Sequence, residues 1–373
     1  MDARTNRQDM QSSTEWLDWK FHMKNLIRTQ ADLEPWIQVS EREKKGIELT
    51  KGLYEWMVTP YYASLMDPAD ENCPIRLQSI PHPSETASPP NAAVDPVGDM
   101  KYSKTRRVVH KYPNRIVLLV SDTCPVYCRH CTRKFHTTAT EGTYYNESFD
   151  LSYEPDFAYI REHNEINDVL LTGGDPLTLT DSKLESIISQ LKAIEHVKVI
   201  RIGSRYPVFL PQRITQGLCD LLAKFHPIWF STHFNHPREI TPEAASAVDR
   251  LIRSGIPVQN QTVLLKGVND DVETMRALNR QLLEIRVRPY YLYHADNVTG
   301  VSHFRTSVSV GLDILEKLTG YETGFSLPQY VITTDLGKIP VNNTYYAESN
   351  GNQLIRNFRG DRADITRYLA LEE

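Results

Sequence analysis

Apolar, β-branched runs return about every thirty residues through the middle of this chain, a rhythm that few folds can satisfy. They fall at 116–120, 168–171, 197–202, 228–230, 258–265 and 287–293. Helical patterns lie between most of them. Leu184, Ile187, Ile188 and Leu191 share one helix face, with Ser182 and Glu185 spaced as a capping box at its start. Thr241-Pro242-Glu243 opens a second helix that Gly255 closes, and a third is expected over 271–285. Repeated βα units imply a parallel sheet with right-handed crossovers. Six of them predict an α/β fold, a partial (βα)6 TIM-like barrel, whose chemistry sits on the loops after the strands' C-terminal ends.

Composition narrows what surrounds that barrel. A net charge of −5 with both signs interspersed offers no basic face to nucleic acid. No apolar run reaches the roughly 18 residues of a membrane span, and the polar N-terminus lacks a signal-peptide core. Five cysteines, three of them clustered, suit a reducing cytosol better than a disulfide framework, so a cytoplasmic protein is expected. Residues 1–98 read as a helical extension ending in a Pro/Ser-rich linker at 81–98, residues 99–345 as the barrel, and 346–373 as a tail. Within the extension, Trp16, Trp19, Phe21 and Met23 mark one amphipathic stretch, and 41–57 a second.

The loop after the first strand reads Cys124-Pro-Val-Tyr-Cys128-Arg-His-Cys131. Structural zinc wants four closed ligands, which His130 or His136 would have to complete. A four-iron cluster held by three thiolates instead keeps one iron open to bind something else. Three unrelated buried thiols are the third reading. The next loops carry Gly173-Gly174-Asp175, then Ser204, His233, Gln261 and Asp296. Polar residues thus collect on one rim, and Ser204, His233 and Gln261 are candidates for cofactor contacts.

With an aromatic before its second cysteine, the C-x3-C-x2-C run resembles the radical S-adenosylmethionine (SAM) superfamily. The resemblance implies that Cys124, Cys128 and Cys131 hold a [4Fe-4S] cluster whose open iron takes SAM, with Gly173, Gly174 and Asp175 near SAM's amino group. Longer words are more specific. Lys111-Tyr-Pro-Asn-Arg115, Asp168-Val-Leu-Leu-Thr-Gly-Gly-Asp175, Arg201-Ile-Gly-Ser-Arg205 and Leu210-Pro-Gln-Arg-Ile-Thr215 resemble the lysine 2,3-aminomutases. So do Thr232-His-Phe-Asn-His-Pro237, the stretch 260–270 and Ile285-Arg-Val-Arg-Pro-Tyr-Tyr291, a likeness running over about 16–358.

That family resemblance implies an isomerase that moves an α-amino group to the β-carbon, using pyridoxal 5'-phosphate (PLP) beside the cluster. Lys338, in Thr334-Asp-Leu-Gly-Lys-Ile-Pro340, matches the catalytic lysine that carries PLP, with Lys111, Tyr112, Arg115 and Tyr293 around the cofactor. Arg133 matches the arginine for the substrate carboxylate, and Asp296 one of two aspartates for a distal ammonium. Thr333 stands where the second aspartate is expected, and Asp335, in a glycine-poor loop two residues short, is its candidate replacement. A C-terminal zinc-binding cysteine cluster is missing, so no structural zinc is expected and a homo-oligomer is left open. The retained Asp296 points to a basic substrate, lysine first and arginine next. Rival readings are decarboxylation or oxidation at Cβ or Cγ of such a substrate, and a non-catalytic metal-binding scaffold protein. A reductase or flavodoxin-type electron donor is the implied partner; no nucleic acid or membrane is.

Overall fold

The structure, a computed structural model, describes residues 7–364 apart from 88, 90, 138–151, 335, 350, 351 and 358. Among these, nine strands form one sheet in chain order. They are β1 (Val108–Tyr112), β2 (Arg115–Ser121), β3 (Asp168–Gly173), β4 (Val199–Gly203) and β5 (Ile228–Thr232), followed by β6 (Val258–Leu264), β7 (Arg288–His294), β8 (Gln329–Thr334) and β9 (Gly337–Pro340). Strands β2 to β8 run parallel, and β1 and β9 pair antiparallel at the two edges.

The six expected strands are β2 to β7. The apolar run 330–332 adds a seventh parallel strand, β8, which turns back as β9. Neither edge strand carries a long buried apolar run: β1 opens on the buried Val108 and Val109 but ends in His110, Lys111 and Tyr112, and β9 spans four residues with Gly337 and Pro340. Periodicity is silent about such strands.

Helices α1 (Glu154–Glu162), α2 (Asp181–Lys192), α3 (Gln216–Ala223), α4 (Pro242–Arg253), α5 (Val272–Glu284) and α6 (Val308–Leu318) fill the crossovers. Helix α4 starts as expected, with Thr241 accepting from the Ala244 N–H and Pro242 in the first turn. Helix α2 does not. Its cap is Thr180, which accepts from the Lys183 N–H, so Ser182 lies inside the first turn and no Ser182–Glu185 box forms. Two capping-competent residues stand two positions apart, and the helix takes the earlier one.

Alternation along the strands decides where the core sits. Val169 and Leu171, Ile200 and Ile202, and Ile228 and Phe230 turn outward and are fully buried with Leu184, Leu222, Val248 and Leu282 of the helices. The intervening residues turn inward, and many are polar: Asp168, Thr172, Arg201, Ser231, Gln259 and Gln261. A fully closed TIM barrel packs its interior with branched apolar chains; this sheet instead surrounds a cavity of about 610 Å³.

The N-terminal region is not a separate body. Its helices are short: Trp19–Lys24 where one longer stretch was expected, and Glu41–Thr50 where the pattern continued to 57. Gly52, with φ of 82°, ends the second. Trp16, Trp36, Tyr61 and Tyr62 belong to the same apolar core as the barrel.

Within 81–98, the stretch expected as a linker, one side chain is tied to the site. Glu85, in that stretch, is 0% exposed and accepts from Arg129 Nε at 2.9 Å and from Lys134 Nζ. At the other end, the expected tail contains an antiparallel sheet of β10 (Tyr346–Ser349), β11 (Asn352–Arg356) and β12 (Arg362–Asp364). Arg356 ties it to α6 through Glu316 at 2.6 Å. Among the described residues, no helix is long and apolar enough to cross a membrane.

Candidate active site

The cysteine loop leaves the C-terminal end of β2 and is gripped from three sides. Gly174 N–H donates to Ser121 O at 2.6 Å, and Asp175 N–H to Thr123 O at 2.8 Å. A Cβ on Gly174 would lie 2.5–2.7 Å from Thr123 backbone atoms, and one on Gly173, at φ of 126°, 2.2 Å from Ser121 O. Both glycines therefore let the β3 turn approach the cysteine loop itself. From the N-terminal region, Met57 O and Gln78 O accept the Tyr127 and Arg129 N–H groups. Glu85 completes the grip through Arg129 and Lys134, an ion triad in which all three side chains are 0–1% exposed.

Cys124, Cys128 and Cys131 are half-buried free thiols. Burial, together with neighbouring negative groups, pushes the Cys124 and Cys131 thiols up. Cys128 Sγ accepts from Arg205 Nη1 at 3.0 Å. Among the described residues, no group of three or more His, Cys, Asp or Glu side chains is placed to hold a metal ion. A single zinc needs such convergence; a four-iron cube spreads its thiolates over separate irons.

Asp175 does not face the cavity. Its carboxylate accepts from the Leu177 N–H at 3.0 Å and the Arg205 N–H at 2.8 Å, and it bonds the Ser204 hydroxyl. Burial pushes it up to about 6. The expectation that it receives a ligand's amino group thus gives way to a supporting role, and Ser204, which accepts from the Tyr206 N–H, shares it.

Lys338 lies on β9. Gly337 precedes it at φ of 123°, where a Cβ would come within 3.1 Å of the Tyr112 hydroxyl. That hydroxyl accepts the Lys338 N–H at 2.9 Å, joining β1 to β9 across the seam of the sheet. Lys111 bridges the same seam, its Nζ donating to Val97 O at 2.8 Å and to Thr334 O. Lys338 Nζ donates to the Tyr293 hydroxyl and lies 5.0 Å from the ring centres of Tyr291 and Tyr293. Burial first, then the charges of Arg201, Arg115 and Arg133, lower its pKa to about 7 against the opposing effect of Asp296.

Of the residues singled out from sequence, Lys111, Tyr112, Arg115, Arg133, His233, Gln261, Tyr293, Asp296 and Lys338 line one cavity. The three cysteines, Gly173, Gly174, Asp175 and Ser204 are not among its lining residues, although His130, Thr132 and Gly203 beside them are. Asp335 lies outside the described residues.

Sequence reasoning missed the partners. Arg133 Nε is paired with Asp99 at 2.6 Å, and Arg201 Nε with Asp168 at 2.7 Å. Thr132 Oγ1 donates to Asp296 Oδ2 at 2.6 Å, while burial raises that carboxyl to about 6. A charged residue inside an apolar strand, as in Val199-Ile-Arg-Ile-Gly203, was the available signal for Arg201. Asp99 and Thr132 carried none.

The radical SAM superfamily model matches residues 118–278 of this chain. Over 349 residues the chain is 44% identical to the L-lysine 2,3-aminomutase of Fusobacterium nucleatum, covering 93% of this chain and 81% of that protein. It is 42% identical to the L-lysine 2,3-aminomutase of Clostridium subterminale, covering 94% and 84%. It is also 41% identical to the glutamate 2,3-aminomutase of Clostridioides difficile, covering 87% and 75%. Radical SAM relatives carry a [4Fe-4S] cluster and SAM, and three half-buried free thiols spaced along one loop fit that cluster.

Gly174→Ala tests the grip on the cysteine loop. The added methyl must displace Thr123, so reconstituted protein should carry at most about half the iron and sulfide of the unsubstituted chain while its far-ultraviolet circular dichroism is kept. Full loading would mean that the loop does not depend on this approach.

Proposed function

The chain belongs to the 2,3-aminomutase family of radical SAM isomerases, and we propose that it moves the α-amino group of a basic L-amino acid to Cβ, lysine first and arginine next. One observation carries the choice of substrate. Of the carboxylates lining the cavity, Asp99 and Asp168 are each paired with an arginine, whereas Asp296 forms no ion pair among the described residues. A buried carboxylate supported by one hydroxyl gains most from a cationic side chain. A glutamate side chain would set a second negative charge beside it. Thr333, also on the wall, adds no charge.

When bound, the cluster and SAM supply a carbon-centred radical, and PLP supplies a carbonyl carbon to hold the migrating nitrogen. The residues present fit PLP: a buried amine on Lys338, aromatic walls from Tyr291 and Tyr293, and the guanidinium groups of Arg115 and Arg201 for a phosphate. Lys338 offers a nucleophilic amine near neutral pH, and Tyr293 accepts its proton-bearing hydrogen bond. Lys111 is committed to two backbone carbonyls and holds the seam shut. Arg133, steadied by Asp99, presents a planar fork suited to the substrate's α-carboxylate. Asp296 then holds the far end, so that both ends fix Cβ in place. The reading also calls for an external one-electron donor of reductase or flavodoxin type, and it leaves a homo-oligomer open.

Anaerobic turnover with reductant, SAM and PLP tests the reading directly. Lysine or arginine should give a β-amino isomer of unchanged mass, and glutamate none. Preferred turnover of glutamate, or loss of carbon dioxide or of two hydrogens from a basic substrate, would overturn it.

Lys338 gives a separate, pH-dependent expectation. The groups acting on its amine are Arg115, Arg133, Arg201 and Asp296, with the Tyr291 and Tyr293 hydroxyls beside it. Because its pKa is lowered to about 7, the neutral amine appears as pH rises through 7. Borohydride-trapped PLP labelling of Lys338, located by mass spectrometry, should rise to half its maximum near pH 7. A midpoint at the ordinary lysine value would contradict the buried site.

A further inference from the structure

Arg205 sits on the loop after β4, directly behind the cysteine loop, and every arm of its guanidinium is committed. Nη1 donates to Cys128 Sγ at 3.0 Å, Nε to His233 O at 2.8 Å, and Nη2 to Gln78 Oε1 and Glu239 Oε1, each at 3.0 Å. The group lies 4.2 Å from the ring centre of Phe209, and Asp175 fixes the backbone that carries it. It is 7% exposed. A cation so held cannot swing away from the sulfur.

Glu239 stands behind it, 0% exposed. Its carboxylate accepts from the Tyr62 hydroxyl at 2.7 Å, from Gln78 Nε2 at 3.0 Å and from the Asn235 and His236 N–H groups. Positive and negative charge are therefore stacked in a line that ends on one thiol of the three.

We propose that Arg205 sets the reduction potential of the cluster by donating to Cys128 Sγ, with Glu239 opposing it from behind. Reduction adds one negative charge to the cluster. A hydrogen bond to a ligating sulfur withdraws electron density from it, and a fixed cation stabilises the more negative state, so both effects raise the potential. A carboxylate at the next position lowers it. Arg205 is thus a positioning and tuning residue that acts through Cys128 and touches no substrate. The inference rests on the family's cluster and not on the choice of amino acid, so a wrong substrate leaves it standing.

The test is a potentiometric titration of the reconstituted holoprotein without substrate, read by electron paramagnetic resonance, with iron and sulfide measured on each sample. At the wild-type midpoint, Arg205→Gln should lower the reduced-to-oxidised ratio by about tenfold, the weight of a charged hydrogen bond. Arg205→Lys, which keeps the charge, should shift it less. Glu239→Gln should shift the ratio the other way, and this second variant decides the matter if Arg205→Gln fails to load iron. Shifts of the same sign from Arg205→Gln and Glu239→Gln, or an unmoved or lowered midpoint in loaded Glu239→Gln protein, would overturn the proposal.

Discussion

A charge inside a barrel persists only beside an opposite charge, a strong hydrogen bond or a bound ligand, and that constraint arranges this cavity. Arg133 has Asp99, Arg201 has Asp168, and Lys111 has two backbone carbonyls. Lys338 meets the constraint differently: buried, and with three arginines acting on it, its amine loses its proton more readily than an exposed lysine's. Asp296 meets it least well, with one hydroxyl and a carboxyl raised to about 6. Of the carboxylates lining the cavity, it is the one with no ion pair among the described residues. A buried carboxylate left in that state is what a site for a cationic side chain requires.

The same economy runs through the parts that hold the chemistry in place. The cysteine loop rests on backbone from both halves of the chain: the β3 turn on one side, and carbonyls of Met57 and Gln78 on the other. Glu85 anchors Arg129 and Lys134, which flank Cys131. At the seam of the sheet, Tyr112 and Lys111 join the two edges around Lys338. The N-terminal region and the 81–98 strap thus serve the site as well as the shared core. Their short, capped helices bring side chains to it from several directions.

What sequence made legible follows from where each signal is written. Strands β2 to β7 were readable because their outward residues are apolar against helices, whatever faces the cavity. Strands β1 and β9 were not, since their pairing depends on neighbours and leaves no periodic mark. The cysteines, Lys338 and Asp296 stood out by spacing and by family likeness. Direction was the harder matter: Asp175 carried a visible motif, yet its carboxylate turns to Leu177, Ser204 and Arg205 instead of the cavity. Proline content made 81–98 look like a spacer, although Glu85 inside it is fully buried. Pairings such as Arg133 with Asp99 join residues 34 positions apart and could be read only in three dimensions.

Selection of a cationic side chain by Asp296 is the claim on which the functional account turns. Its most direct test compares kcat/KM for lysine and for norleucine, which matches the chain but lacks the charge, in wild-type and Asp296→Asn protein. The account predicts that the preference for lysine falls by about a hundredfold in the variant, with norleucine turnover unchanged or improved. An undiminished preference for lysine in loaded Asp296→Asn protein would contradict it.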